Sequence, residues 1–450
     1  MSETLEMSRS REQLATKAEV RHDKPRIVIV GGGFGGIAAA KALRHCDAEV
    51  VVIDRRNHHI FQPLLYQVAT AVLAPSEVAA PIRQLEAKQK NVSVLLAEVV
   101  GIDLGSRSID ANCSSIGIKK IDFDYLVVAA GMRSSYFGHD EFAEYAPCLK
   151  TITDAETIRS KILSAYELAE ATDDADERQR QMTFVLVGAG PTGVELAASI
   201  AQLATTTLRK NFRRIDPATT TIILLDGAKR ILPSFAESLS KKAANRLAKL
   251  GVRVITGAMV ESIDARGVTV GGKLIPCGAA LWTAGVSPSP LVRMLGVATD
   301  RAGRACVDPS LSVPNNSGIF VIGDTATLMQ NGKPLPGVAQ VAIQQGRYVG
   351  RLISREISGR KPPRPFRYFD KGNMAVVGKN FAIMDAGPIK LAGFTAWLAW
   401  ALIHLLFLPQ LQNRLRVERQ WMWSYFTGQR SSRLIRETPW TETSEPRKLS

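Results

Sequence analysis

Cysteine is scarce and scattered. Cys46, Cys113, Cys148, Cys277 and Cys306 are five, an odd number, in 450 residues, and no two have C-x-x-C spacing. That argues against a disulfide framework and a zinc site, and for buried thiols in a reducing compartment. Residues 1–24 lack any apolar run and mix both charges. They hold no signal-peptide core and too many acids for a transit peptide, so a disordered arm is expected. Acid is the minority charge, with 57 basic against 42 acidic residues and a net +15. Nucleic acid, anionic lipid and anionic cofactors all suit that balance. The chain is too long for one core, so two or three domains are expected.

The chain is organised around residues 26–54. Ile27 to Val30 is a β-branched run without a polar break, as in a strand buried on both faces. Gly31, Gly33 and Gly36 follow as G-x-G-x-x-G and open an Ala-rich helix. These glycines give a tight turn, close approach to a pyrophosphate, and close helix–strand contact. The phosphates would sit at the helix N-terminus. A second apolar strand ends in Asp54, about twenty residues on, placed for ribose hydroxyls. His58 to Thr70 is apolar without periodicity, and is either core or a cover for the reactive ring of a cofactor. Val92 to Leu96 and Ile121 to Val128 read as strands, the second running into Gly131. Residues 172–181 read as a charged, exposed connector.

The device then repeats. Thr183 to Val187 leads into Gly188, Gly190 and Gly193, and the helix beyond carries Glu195. Thr221 to Leu225 ends in Asp226, whose acid favours a free 2′-hydroxyl and so NAD over NADP; Lys229 and Arg230 stand nearby. Leu281 to Gly285 is a further strand–turn. Gly318 to Gly323 puts Asp324 after a buried strand, where it can bind a polyol such as ribityl. Gln340 and Gln344 share a face of the helix opened by Pro336–Ala339, either solvated or turned to a polar ligand.

Two Rossmann units with a Gly-Asp segment after the second resemble the two-dinucleotide-binding flavoproteins, related in fold to glutathione reductase. No redox-active C-x-x-x-x-C or single cysteine lies between residues 50 and 80. Cys148 and Cys306 lack the surroundings of a sulfide:quinone reductase pair. From residue 25 on, the chain is instead similar to type II NADH:quinone oxidoreductases, through Gly31–Gly36, Phe61–Thr70, Gly188–Glu195, Gly323–Asp324, Ala339–Gln344 and Asp370–Lys379. Asp226 stands where many relatives carry Glu, and no calcium-binding insertion is present.

The resemblance implies an α/β fold with a discontinuous FAD domain (25–150 and 306–365), an NADH domain (151–305) and a C-terminal anchoring region (366–450). FAD would be held by Gly31, Gly33, Gly36, Asp54, Gly131, Asp324, Ala339 and Gln340. NADH would be held by Gly188, Gly190, Gly193, Asp226 and Gly285. A membrane quinone, ubiquinone or menaquinone, would accept the electrons near Gln340 and Gln344. Glu195 would supply a proton, unless it is only a helix-surface acid. Lys371 or Lys379 would steady an anion, unless they are surface cations. No metal is implied, and proton pumping and nucleic-acid binding are not expected; a homodimer is. The competing functions are a sulfide:quinone reductase, a soluble ferredoxin-type reductase and a nucleotide sensor.

Ile389 to Leu408 is the most apolar stretch and borders on the length of a membrane span. Pro409 ends it, and Gln410 to Phe426 interleaves Arg414, Arg416 and Arg419 with Trp and Leu. A buried helix, a span and an interfacial pair of amphipathic helices compete. Basic residues beside Trp favour an interfacial anchor on anionic lipid; the resemblance implies the same monotopic arrangement, expected at the cytoplasmic face of a bacterial inner membrane. His404, inside the run, is expected to be hydrogen-bonded rather than a metal ligand.

Overall fold

A computed structural model of the chain describes residues 23–435. The arm expected over 1–24, apart from Asp23 and Lys24, and the basic end after 435 lie outside the described residues.

Two sheets organise the molecule, parallel throughout except for a short antiparallel edge strand, Ser312–Val313, on the first. In the first, β1 (Arg26–Val30), β2 (Glu49–Asp54), β3 (Val92–Leu96), β4 (Tyr125–Val128) and a late strand, Asn316–Val321, lie in the order Asn316–Val321, β4, β1, β2, β3. Strand alternation divides β1 between two cores. Ile27 and Ile29 face the helix after β1, α1 (Phe34–Ala42), whereas Val28 and Val30 face an antiparallel sheet contributing Val99, Ile109, Ala111 and Phe123. All four are at most 4% exposed, which is why the run carries no polar residue. Each stabilises the fold by about 1.5–3 kcal/mol through burial.

The second sheet repeats the plan. Here β5 (Thr183–Val187), β6 (Thr221–Asp226), β7 (Val252–Thr256) and β8 (Ala279–Trp282) run parallel in the order β7-β6-β5-β8. Phe184 and Leu186 pack with Val194, Ala197 and Ala201 of the helix Pro191–Gln202, while Val185 and Val187 meet Trp282, Ile263 and Val268. An antiparallel ribbon, Met132–Ser134 against Val286–Pro288, ties the two units together.

Late in the chain a long helix, Ala339–Ile357, returns to lie on α1. Glycine makes this possible: a Cβ on Gly346 would stand 2.2 Å from the Gly35 carbonyl oxygen, and one on Gly350 would stand 2.8 Å from that of Ala39.

Three expectations about elements are corrected. Ile121–Val128 is not one strand: Ile118–Asp122 belongs to the antiparallel sheet and only Tyr125–Val128 to the first parallel sheet. The break falls at Asp124, whose Oδ2 accepts the Arg26 N–H (2.7 Å). The connector 172–181 is helical over Ala175–Gln181, because Asp174 caps it by accepting from Asp176 and Glu177 N–H. The apolar run Ile389–Leu408 is split. Ile389–Gly393 is the edge strand of a three-stranded antiparallel sheet, and a helix begins only at Phe394, after Gly393 at φ +100°. That helix, Phe394–Phe407, spans 14 residues. Among the described residues no helix is long and apolar enough to cross a membrane.

The last helix, Leu411–Thr427, folds back against Phe394–Phe407. Asn413 fixes its start by donating to the Ala79 carbonyl (3.0 Å), and Trp421 fixes its middle by donating from Nε1 to Gln67 Oε1 (2.7 Å). The exposed side of Phe394–Phe407 is apolar, whereas that of Leu411–Thr427 mixes large apolar residues with Gln412, Arg416, Glu418 and Arg419. Phe394, Leu398, Leu402 and Leu406 recur every four residues and are each about half exposed, with Leu411, Leu415, Met422, Trp423 and Phe426 beside them.

Candidate active site

Both glycine turns have the same internal geometry. Gly31 has φ +110°, a conformation open to glycine, and a Cβ there would meet the Ala129 carbonyl oxygen at 2.4 Å. Gly188 matches it at φ +105°, against Ala284. A Cβ on Gly36 or Gly193 would stand 1.8 Å from the carbonyl oxygen of Gly31 or Gly188, so these two seat the helix on the turn. The middle glycines differ. Around Gly33 and Gly190 an added Cβ meets nothing within 4 Å, and neither helix has a side-chain cap. Each turn therefore offers uncapped helix N–H groups to open space, the arrangement a pyrophosphate fits.

The strand-end acids shape those turns. Asp54 accepts from Gly32 N–H (2.7 Å) and Arg56 N–H (2.8 Å); Asp226 accepts from Ala189 N–H and from Ala228 N–H (2.7 Å). One hydrogen bond to each oxygen leaves lone pairs for a ribose. Asp54, Gly31, Arg55, Arg56 and Lys150 line a cavity of about 310 Å³. The two basic residues near Asp226 are unlike each other. Arg230 donates to the carbonyls of Leu232, Pro233 and Phe235 and to Ser240 Oγ, whereas Lys229 is exposed.

Asp324 is a carboxylate without a partner: among the described residues nothing donates a hydrogen bond to it, and burial pushes its ionisation up. Its turn is held by Gln345, whose Oε1 accepts the Gly323 N–H (2.6 Å). Ala339 opens the long helix behind it, again without a side-chain cap. An unpartnered acid beside an open helix N-terminus suits the hydroxyls of a polyol. Gly131 and Gly285 flank the inter-sheet ribbon, their carbonyls accepting from Ser289 and Ser135 N–H.

Gln340 and Gln344 are partly exposed, and their amides pair with backbone. Gln340 Nε2 donates to the Gly372 carbonyl (2.7 Å) and its Oε1 accepts Lys371 N–H; Gln344 pairs both ways with Phe369 (2.9 and 3.0 Å). The pair thus straps segment 369–372 to the long helix, and Lys371 is held above the Phe407 ring, 5.9 Å from its centroid.

A larger cavity, about 510 Å³, opens between the helix Pro191–Gln202 and the two C-terminal helices. Of the five expected reaction residues it brings together Glu195 and Lys379, while Gln340, Gln344 and Lys371 do not line it. Their amides are taken by backbone, which separates the expected group into two. Tyr66, Gln67, Trp397, Trp400, Trp421 and Arg430 share the cavity wall. Glu195 is half-buried; desolvation raises its carboxyl to about 8, against one weak backbone bond from Val376 N–H (3.3 Å). The shift favours the protonated acid at neutral pH, at a cavity wall. Lys379 is a clamp as well as a cation, lying 3.9 Å from the Tyr425 ring centroid and donating to its carbonyl (2.6 Å). His404 is neutral, lowered to about 4 by burial, and its Nδ1–H donates to the Trp400 carbonyl (2.8 Å). The five cysteines are unpaired and none lines this cavity.

Sequence reasoning held Tyr66 only within Phe61–Thr70, held Trp421 only within the C-terminal segment, and did not single out Gln345 or Arg430. Gln345 adjoins the recognised Gln344, and Trp421 lay in the anchoring segment. Nothing local marked Arg430.

The pyridine nucleotide-disulphide oxidoreductase family profile matches residues 25–346. The chain is 43% identical to the type II NADH:quinone oxidoreductase NdhA of Mycobacterium tuberculosis, over 91% of this chain and 89% of that one. It is 44% identical to the type II NADH:quinone oxidoreductase Ndh of the same organism, over 91% and 90%. Its fold superposes on that of NDH2 from Plasmodium falciparum, solved in complex with NADH, with a TM-score of 0.83 at 20% identity, over 92% of this chain and 100% of that one. Repeated nucleotide turns, an unpartnered Asp324, a cysteine-free cavity and identity along nine-tenths of the chain converge, and the chain belongs to the type II NADH:quinone oxidoreductases.

Proposed function

We propose that the protein oxidises NADH and reduces a membrane quinone by two-electron transfer through FAD, without moving protons across the membrane. The observation that carries this is the 510 Å³ cavity, which places a protonated Glu195 among aromatic residues beneath an exposed apolar surface. Bound FAD supplies the two-electron carrier between nicotinamide and quinone.

FAD is assigned to the first unit (25–150 with 306–365). The uncapped helix N-terminus at Gly33 takes the pyrophosphate, Asp54 the adenosine ribose, and Asp324 the ribityl hydroxyls. NADH is assigned to the second unit (151–305), with phosphates at Gly190 and ribose on Asp226. Arg230 is drawn to the carbonyls of the loop that follows, and Asp226 disfavours a 2′-phosphate, so NADH is preferred to NADPH. Gln340 and Gln344 act by holding segment 369–372, and through it Lys371, against the helix that begins at Ala339. Glu195 delivers a proton to the reduced quinone, and Lys379 closes the cavity against Tyr425.

The C-terminal region (366–450) docks the protein on the cytoplasmic surface of a membrane. Half-exposed Phe394, Leu398, Leu402 and Leu406 form a contiguous apolar stripe of the kind that marks an interaction surface. Arg416 and Arg419 on the neighbouring helix suit anionic headgroups. A quinone dissolved in the bilayer then reaches the cavity without crossing water.

The test is anaerobic titration of the purified protein in mild detergent, followed by flavin absorbance. NADH bleaches the flavin, sulfide does not, and a short-chain quinone restores it. Bleaching without restoration by quinone points to a protein-directed reductase, and failure to bind flavin refutes the assignment of Gly31–Asp54.

A further inference from the structure

The cavity wall holds a charge that the reading above does not use. Arg430 is 6% exposed, yet among the described residues no carboxylate lies within ion-pair reach of it. Its guanidinium donates to the Thr70 carbonyl (2.7 Å), the Ser199 carbonyl (3.0 Å) and Ser199 Oγ (3.4 Å), all neutral acceptors. A guanidinium has five N–H groups, so two remain without an acceptor among the described residues.

A buried cation without a counter-ion is costly to folding, and three neutral acceptors need no charge to satisfy them. Tyr66 does not supply the missing anion. Burial first, and the Glu195 charge second, push its phenol well up, so it stays neutral. Arg430 itself is lowered to about 10 by burial and remains charged at neutral pH.

The reaction creates an anion in this cavity. In the overall balance NADH + H⁺ + quinone → NAD⁺ + quinol, the quinone gains two electrons from NADH and its two oxygens end as hydroxyls. One of the two protons derives from NADH and one from solvent. Negative charge falls on the quinone oxygens before they are protonated.

We infer that Arg430 is a further catalytic residue, whose free N–H groups bind a quinone oxygen and stabilise the charge that oxygen gains on reduction. This rests on the assignment of the cavity to quinone. Arg430 and Glu195 then divide the work, a fixed cation for one oxygen and an acid for proton delivery, with neutral Tyr66 beside both.

The experiment uses the FAD-loaded full chain in detergent, with Arg430→Gln and Arg430→Lys. Three rates are read: flavin reduction by NADH, reoxidation by a short-chain quinone, and reoxidation by ferricyanide, which needs no cavity. Loss of an oxyanion donor lowers rates by about 10²–10³. Arg430→Gln is expected to slow quinone reoxidation about a hundredfold, with the other two rates unchanged. Arg430→Lys keeps the charge with fewer donors and is expected to lose about tenfold in that step alone. A wild-type quinone rate in either variant, equal losses in both, or a parallel fall in all three rates overturns the inference and leaves Arg430 as a clamp. Should Arg430→Gln not fold, Arg430→Lys decides by the same criteria. Ser424→Trp, which fills the cavity, separates the two levels. If it spares quinone reoxidation, the cavity assignment fails; if it blocks that step while Arg430→Gln is silent, only the role of Arg430 fails.

Discussion

Replacing Glu195 by glutamine gives the sharpest test of the cavity chemistry. The carboxyl titrates at about 8 in the folded protein, against an ordinary value of 4.5, because the cavity wall desolvates it. Its folded-state value is raised, so the folded protein binds this proton more tightly than the unfolded chain does. The stability that the protonated acid permits is complete below pH 4.5 and declines as pH rises, until the loss is full above about pH 8. Each pH unit in that window is worth about 1.4 kcal/mol, so ionisation costs at most about 5 kcal/mol. Water entering the cavity reduces this, since the side chain is half-buried rather than sealed. Glu195→Gln keeps the shape and removes the titration. Denaturant midpoints measured from pH 5 to 9 should show the wild type losing stability relative to Glu195→Gln, by a few kcal/mol at pH 9. Quinone reduction should decline above pH 8 in the wild type alone, from a rate already higher than that of the variant. Parallel stability curves would mean that Glu195 is solvated and ionised at neutral pH, and the proton-delivery argument would fall.

Other consequences are equally direct. Gly36→Ala puts a methyl 1.8 Å from the Gly31 carbonyl oxygen; flavin retention after gel filtration should be lost, and a normal flavin content would refute the turn geometry. Asp226→Ala removes the carboxylate that repels a 2′-phosphate, so the NADPH/NADH ratio of kcat/KM should rise at least about tenfold. The same change strips an acceptor from Ala189 N–H, at about 1–3 kcal/mol of stability. Leu398→Glu with Leu402→Glu should abolish flotation with anionic liposomes and leave NADH:ferricyanide turnover intact; continued flotation would place the membrane surface elsewhere. Gln344→Leu leaves the Phe369 N–H and carbonyl without their partners, and faster proteolysis within 366–372 is the expected readout.

Legibility along the chain followed the range of the interactions. The turns at Gly31–Gly36 and Gly188–Gly193 were readable because their constraints lie within a few residues: a positive φ, a carbonyl 1.8 Å from a missing Cβ, a strand buried on both faces. Ile121–Val128 was misjudged because hydrophobicity runs through Phe123, while the break depends on Asp124 meeting Arg26 N–H, 98 residues away. The apolar run Ile389–Leu408 was misjudged for a related reason. Its first five residues complete a sheet with Ala382–Ala386, a pairing that composition does not report.

Two glycine turns, an acid at the end of the strand that follows each, the lack of C-x-x-C spacing and an apolar, arginine-bearing C-terminal segment were determined by the sequence alone, because backbone sterics and burial act on neighbouring residues. Only the tertiary structure decided that Glu195 faces a cavity while Gln340 and Gln344 are consumed by a backbone strap. It alone decided that Arg430 is brought to Ser199 and Thr70, 231 and 360 residues away. Desolvation is the physical reason. Whether a carboxyl or a guanidinium is costly, and so chemically poised, depends on what the rest of the fold stacks around it.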